Sequence, residues 1–277
     1  MIDALEKIAN FKTFLTPTLI YNEGWLLRLC LNWFSNNSES KLDTQEEISN
    51  FASYFKGNST WYSEPFLRTP FVKNKRVKGV GERRTRADAV IGNFRIGDEN
   101  AKEVLTFDSD CKTFIVCEAK MNSPYAKNTT NADNYNQLSR TYACICKEIL
   151  ESKVDILHVR LGFYTFIPKS KINNFSYDID SIHKQIDTRI EKYKKELKIS
   201  EANSNYFEAI DIFKGKYKEI SQKIIFRIFT WEDIIEFIKS NDSNFGNKLN
   251  NFYKICLIFG LSHDYLLSLY KKRVKNL

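Results

Sequence analysis

Apolar positions recur along the chain in two periods, and their alternation outlines a fold. From Pro17 to Phe34 the residues Leu26, Leu27, Leu29, Cys30, Leu31, Trp33 and Phe34 make a wide apolar stripe at helical spacing, with Thr16 or Thr18 placed to cap its start. The polar stretch after it reads as a loop leading into a second, short helix. Residues 58–86 are rich in breakers and basic side chains and predict a loop with limited regular structure. The run from Ala87 to Gly97 predicts an apolar strand turning near Gly92-Asn93, and 97–110 a polar excursion. Thr113–Lys120 is continuously apolar before it ends in charge, the pattern of a strand buried on both faces. Leu138, Tyr142, Cys146 and Ile149 then recur at three- and four-residue steps and predict a helix over 132–151. A further strand ends at Pro168. Beyond it, 176–219 reads as charged helix and 223–229 as another strand. Thr230 caps a helix with acids in its first turn, and two more helices follow near 245–258 and 262–274.

This order predicts an α/β protein in which a mixed central sheet is flanked by helices, all within one domain over 1–277. The charged stretch 176–219 is then a helical insertion, and 240–277 supplies additional C-terminal helices. A hydrophobic content of 43% is enough for a substantial core and excludes a disordered tail. A net charge of +8 favours a polyanionic partner such as nucleic acid. The six cysteines have no zinc-site spacing, and Cys144-Ile145-Cys146 is too short for a CxxC pair, which points to a reducing, cytoplasmic environment. The first residues carry acids and lack an apolar signal core, and no run approaches the roughly 18 apolar residues of a membrane span. His158, His183 and His263 are scattered, without metal-ligand spacing. The serines and cysteines form no nucleophile elbow or Cys–His pattern.

The sharpest chemical feature is Glu118-Ala119-Lys120 at the end of the buried strand. Separation by one residue puts an acid and a base on the same face. Asp88 lies in the preceding hairpin, inside Arg86-Ala87-Asp88-Ala89-Val90, where an unpaired charge costs several kcal/mol. Two carboxylates from neighbouring strands can share a hard divalent cation, and Mg²⁺ commonly takes one or two carboxylates plus water and substrate phosphate. A lysine beside them can orient the attacking water or balance growing negative charge.

Ala87-Asp88 followed by Glu118-Ala119-Lys120 resembles the PD-(D/E)XK nuclease superfamily, with Ala87 standing where the naming proline would be. The resemblance covers about 18–168 plus 223–239 and implies a restriction-endonuclease-like core. It implies a metal-dependent DNA endonuclease using Mg²⁺, with Mn²⁺ as a substitute. Asp88 and Glu118 would be metal ligands and Lys120 would act at the water. Glu23, an acid in the first turn of the apolar helix, matches the glutamate that completes the metal site in many members. Gln137 matches a glutamine on the helix after the lysine strand. The superfamily's frequent roles in restriction and antiviral defence enter as analogy, and a homodimer or larger complex is left open.

Plainer roles exist for each residue. Glu118 and Lys120 would also make an ordinary ion pair, Asp88 would also pair with Arg86, Glu23 would complement a helix dipole, and Gln137 would simply sit near a helix start. The basic run Lys73, Lys75, Arg76, Lys78, Arg83, Arg84 and Arg86 reads equally as a backbone grip or a solvated loop. Tyr135 and Trp61 are candidate base-stacking aromatics, with core or surface roles as the simpler assignment. A non-catalytic nucleic-acid-binding module with the same fold, or an RNA-directed or exonucleolytic enzyme, are the alternative functions.

Overall fold

The computed structural model describes residues 1–5, 19–38, 46–57, 59–73, 80–82, 85–98, 101–108, 110–121, 129, 132–152, 154–175, 177–199 and 204–259. The first long helix, α1 (Glu23–Asn36), starts later than the apolar stripe suggests, because Asn22 caps it by accepting a 3.0 Å hydrogen bond from the Trp25 N–H. Residues 19–22 are not α-helical, and the expected caps Thr16 and Thr18 lie outside the described residues. A short helix, α2 (Glu46–Ser53), follows as expected.

A five-stranded sheet forms the centre. It contains β1 (Thr60–Ser63), β4 (Ala89–Gly92), β7 (Thr113–Ala119), β8 (Arg160–Ile167) and β9 (Ile224–Thr230), hydrogen-bonded in the order β1-β4-β7-β8-β9. The first two pairings are antiparallel and the last two parallel, so the sheet is mixed. A second sheet holds β2 (Phe66–Leu67), β3 (Thr85–Arg86), β5 (Phe94–Asp98) and β6 (Ala101–Phe107) in the order β3-β2-β6-β5.

Two sequence expectations need correction here. The stretch 58–86, read as a loop with limited regular structure, contains three short strands, β1, β2 and β3. They span only two to four residues each, and β1 pairs with β4 from a distant part of the chain, so no local pattern announces them. The polar excursion 97–110 is largely β6, paired antiparallel with β5. Its alternation is obscured because the neighbouring residues are polar.

Helices cover both faces of the central sheet. The other helices are α3 (Gln137–Glu151), α4 (Ile179–Ile199), α5 (Ser204–Ser221), α6 (Trp231–Asn241) and α7 (Ser243–Phe259). Strand β7 divides its side chains between two cores, as the period of two requires: Ile115, Cys117 and Ala119 join the core under α1, α2, α6 and α7, while Phe114 and Val116 join the one under α3, α4 and α5. The stretch 176–219 is therefore helical as expected, and its apolar residues Ile182, Ile186, Ile190, Tyr193, Phe213 and Tyr217 build that second core. Thr230 caps α6 as read from sequence, accepting a 3.1 Å bond from the Asp233 N–H. The helix expected at 262–274 lies outside the described residues. All six cysteines are free and buried. Among the described residues no helix is long and apolar enough to cross a membrane.

A buried ionic cluster ties the 80–82 segment to the helices. Glu82 lies 3.3 Å from Arg189 of α4 and 3.4 Å from Arg140 of α3, and accepts a 3.0 Å bond from the Thr69 hydroxyl. Burial pushes the Glu82 carboxyl upward while the two guanidinium groups pull it back.

Close approach fixes the glycine at the end of β4. A Cβ on Gly92 would stand 2.1 Å from the Thr113 carbonyl oxygen of β7. Gly92→Ala is expected to push β4 off β7 and lower stability by about 1–3 kcal/mol, read as a shift in the urea midpoint.

Candidate active site

The β4–β7 register decides where the charged residues meet. Ala89 stands opposite Cys117. One further step brings Asp88 opposite Glu118, both on the α3 side of the sheet, since Val90 and Val116 belong to that core. At this point β4 leaves the ladder. The Asp88 carboxylate takes over its hydrogen bonding, accepting a 2.7 Å bond from the Ala119 N–H. The Asp88 backbone carbonyl in turn accepts a 3.1 Å bond from the Glu64 N–H, just past β1.

Glu118 is only 4% exposed. Its Oε1 accepts hydrogen bonds from the Lys120 ammonium at 2.6 Å and from the Gln137 amide. Gln137 is the first residue of α3, whose start is capped by the Asn136 side chain accepting a 2.8 Å bond from the Ser139 N–H. The positive end of the α3 dipole therefore faces this carboxylate. Lys120 is fixed through its backbone. Its N–H donates to the Phe166 carbonyl of β8 at 2.8 Å, and its carbonyl accepts a 3.0 Å bond from the Trp231 indole. Trp231 is fully buried and stacks on Phe166 at 5.4 Å.

Electrostatics reflect the crowding. Burial is the largest cause raising the Glu118 carboxyl, the neighbouring Asp88 charge adds to it, and Lys120 and Gln137 oppose it, leaving it pushed up to about 7. Burial likewise raises Asp88. The Ala119 N–H and Lys120 pull it down, and Glu23 and Glu64 push it up.

Asp88, Glu118, Lys120 and Gln137 thus come together, and Glu23, at the start of α1, stands within electrostatic reach of Asp88. Among the described residues two carboxylates stand against one ammonium in this buried corner. The donor set is entirely oxygen, which suits a hard divalent cation better than a soft one. Among the described residues no three His, Cys, Asp or Glu side chains are gathered closely enough to enclose an ion unaided. A Mg²⁺ ion needs only one or two carboxylates with water completing the shell, so the pair fits that ion.

The alternative pairings fall elsewhere. Arg86 reaches Glu64 at 3.1 Å rather than Asp88. Arg140, one turn after Gln137, serves Glu82. Tyr135 is buried against Phe71 and presents no stacking surface, while Trp61 packs partly buried against the α1 core. Of the basic run only Lys73 and Arg86 are among the described residues.

Sequence reasoning missed Glu64. It adopts a left-handed backbone (φ 57°) that non-glycine residues seldom use, and it binds both Arg28 of α1 and Arg86. Its proximity to Asp88 follows from the β1–β4 pairing, which leaves no local signal. The role of Trp231 as a clamp on Lys120 was equally hidden, because its partner lies 111 residues away.

Two outcomes test this geometry. Glu118 ionises near 4.5 without the fold and near 7 within it. Between those values the native state holds the extra proton, so in EDTA stability falls as pH rises from about 4.5 to 7 and levels off above. The loss is on the order of 3 kcal/mol at most, and Glu118→Gln should flatten that slope in urea titrations across pH. Trp231→Phe keeps a stacking ring but removes the indole N–H that donates to the Lys120 carbonyl, and is expected to cost about 1–3 kcal/mol, measured in the same way. The chain matches no family model, no curated protein and no solved structure.

Proposed function

We propose that the protein is a metal-dependent nuclease with a restriction-endonuclease-like core, cutting phosphodiester bonds in DNA. The observation that carries this reading is the juxtaposition of Asp88 and Glu118 at the ends of adjacent strands, with the Lys120 ammonium 2.6 Å from Glu118. Asp88 and Glu118 would hold Mg²⁺, with Glu23 at the margin. When bound, such an ion supplies charge neutralisation at the phosphate and lowers the pKa of water.

The chain's own groups do the rest. Gln137 and Lys120 fix the orientation of Glu118 by both binding the same carboxylate oxygen. The Ala119 N–H fixes Asp88 in the same way. Lys120 is held at both backbone ends, which directs its ammonium to the carboxylate pair, where it can position the attacking water and offset negative charge on the phosphorane-like transition state. The net charge of +8 supports a polyanionic substrate. A role in restriction or phage defence follows only by analogy with other proteins that use this arrangement.

Incubation with closed circular plasmid, linear DNA and RNA, in Mg²⁺ or EDTA, tests the reading. Nicking of the plasmid in Mg²⁺ alone is expected. Trimming of linear ends alone would make it an exonuclease, cleavage of RNA alone an RNA-directed enzyme, and a metal-independent gel shift without cleavage a binding module. Lys120→Ala is expected to lower the cleavage rate by about 10²–10⁴ while DNA affinity stays within a few fold. Asp88→Asn should abolish the Mn²⁺ heat signal in calorimetry.

A further inference from the structure

A wide concavity lies at the other end of the central sheet. It has a volume of about 530 Å³ and is walled by Lys56 and Ser59 before β1, Asn93 after β4, Asp110 and Lys112 before β7, and Arg160 at the start of β8. A second cavity of about 520 Å³ adjoins it, sharing Ser53, Tyr54 and Arg160, and continues to Arg227 on β9. Lys56, Lys112 and Arg160 are exposed, and none of the three has a carboxylate partner among the described residues. Asp110 is the acid in the wall of the first cavity. Nearby His158 is taken up by Asp155 at 2.6 Å, and Arg227 donates to the Phe226 carbonyl at 3.0 Å and has a loose 3.9 Å contact with Glu47.

Spacing argues for an extended polyanion over a compact one. The Arg160 N–H donates to the Lys112 carbonyl at 2.9 Å, so the two residues stand side by side at adjacent strand starts, and both line the groove. Arg227 pairs with Tyr164, four residues along β8 from Arg160, which places it about 13 Å further on. Cations spread over this distance along one groove suit the successive phosphates of a strand.

The edge strand β1 links this groove to the carboxylate corner. It begins beside Ser59 in the groove wall and ends at Glu64, whose N–H bonds to Asp88. Those five steps span about 17 Å, the length of roughly five stacked nucleotides. Midway, Tyr62 is 36% exposed, and at the far end Arg28 and Arg86 converge on Glu64. An exposed aromatic beyond a cationic groove matches the pattern by which single strands are held, with phosphates on cations and a base stacked on a ring.

We propose that the groove is the anchoring end of a track for a single strand of nucleic acid. Its phosphates lie on Lys56, Lys112 and Arg160, and the strand runs along β1 toward Asp88 and Glu118. The destination rests on the nuclease reading; the phosphate contacts do not.

The test is fluorescence anisotropy with a fluorescein-labelled single-stranded 12-mer in EDTA, where cleavage is silent. The variant K56E/K112E/R160E is compared with wild type and with K184E/K192E/K195E, which makes the same charge change on exposed positions of α4. The groove variant should bind at least roughly tenfold more weakly, and its dependence of log affinity on log salt should flatten by about 2, three lost contacts at about 0.7 each. The α4 variant should stay within roughly threefold of wild type, since distant exposed charges are largely screened. K56Q/K112Q/R160Q repeats the comparison without adding acids, should the reversal variant fail to fold. Wild-type affinity in the groove variants, equal weakening in the α4 variant, or displacement by a mononucleotide at equal phosphate concentration would each overturn the proposal. Absence of cleavage by the wild type would remove the nuclease reading and leave this binding comparison standing.

Discussion

Two carboxylates are forced together at the end of the central sheet, and the surroundings of that corner are arranged to make this bearable. The register that aligns Ala89 with Cys117 carries Asp88 to a place opposite Glu118, where burial and mutual repulsion both favour protonation. Compensation comes from three directions. The Ala119 N–H binds Asp88, the Lys120 ammonium and the Gln137 amide bind Glu118, and the start of α3 adds the positive end of its dipole. Among the described residues one ammonium stands against two carboxylates, an incomplete balance on an oxygen-only donor set.

Holding such a corner requires a stiff frame. Strand β7 is buried along its whole length, with one core on each face, so neither face can relax without loss of packing. Trp231 adds a tertiary lock, joining the start of α6 to the carbonyl of Lys120 while stacking on the residue whose carbonyl receives the Lys120 N–H. On the α3 side the Glu82 cluster joins α3 to α4 through Arg140 and Arg189, so the helix that presents Gln137 is tied to its neighbour by charge as well as by apolar contact. A buried pair of this kind is strongly disrupted when one partner is removed, because the other is left uncompensated.

Charge is distributed unevenly over the two ends of the sheet. The carboxylate corner is acidic and buried, whereas the groove at the opposite end of β7 presents Lys56, Lys112 and Arg160 to solvent without acidic partners among the described residues. The strand β1 spans the distance between them along an open edge of the sheet. An anionic chain laid on that edge would meet cations first and the carboxylate pair last. This is the order in which long-range attraction followed by local chemistry operates.

Local pattern by itself determined the long elements and the chemical triad. The apolar run of β7, the stripes of α1 and α3, the charged helices α4 and α5, and the Thr230 cap each depend on neighbours within a turn or two, and each was legible. Asp88, Glu118 and Lys120 stood out because charge in or at the end of an apolar strand is conspicuous anywhere. Tertiary structure decided the rest. The short strands β1, β2 and β3 exist only through partners far along the chain. Glu64 comes to Asp88 through one such pairing, and Trp231 comes to Lys120 across 111 residues. Which charges become neighbours is set by strand register and sheet order, and these follow from burying both faces of the sheet at once, a condition that no single segment contains.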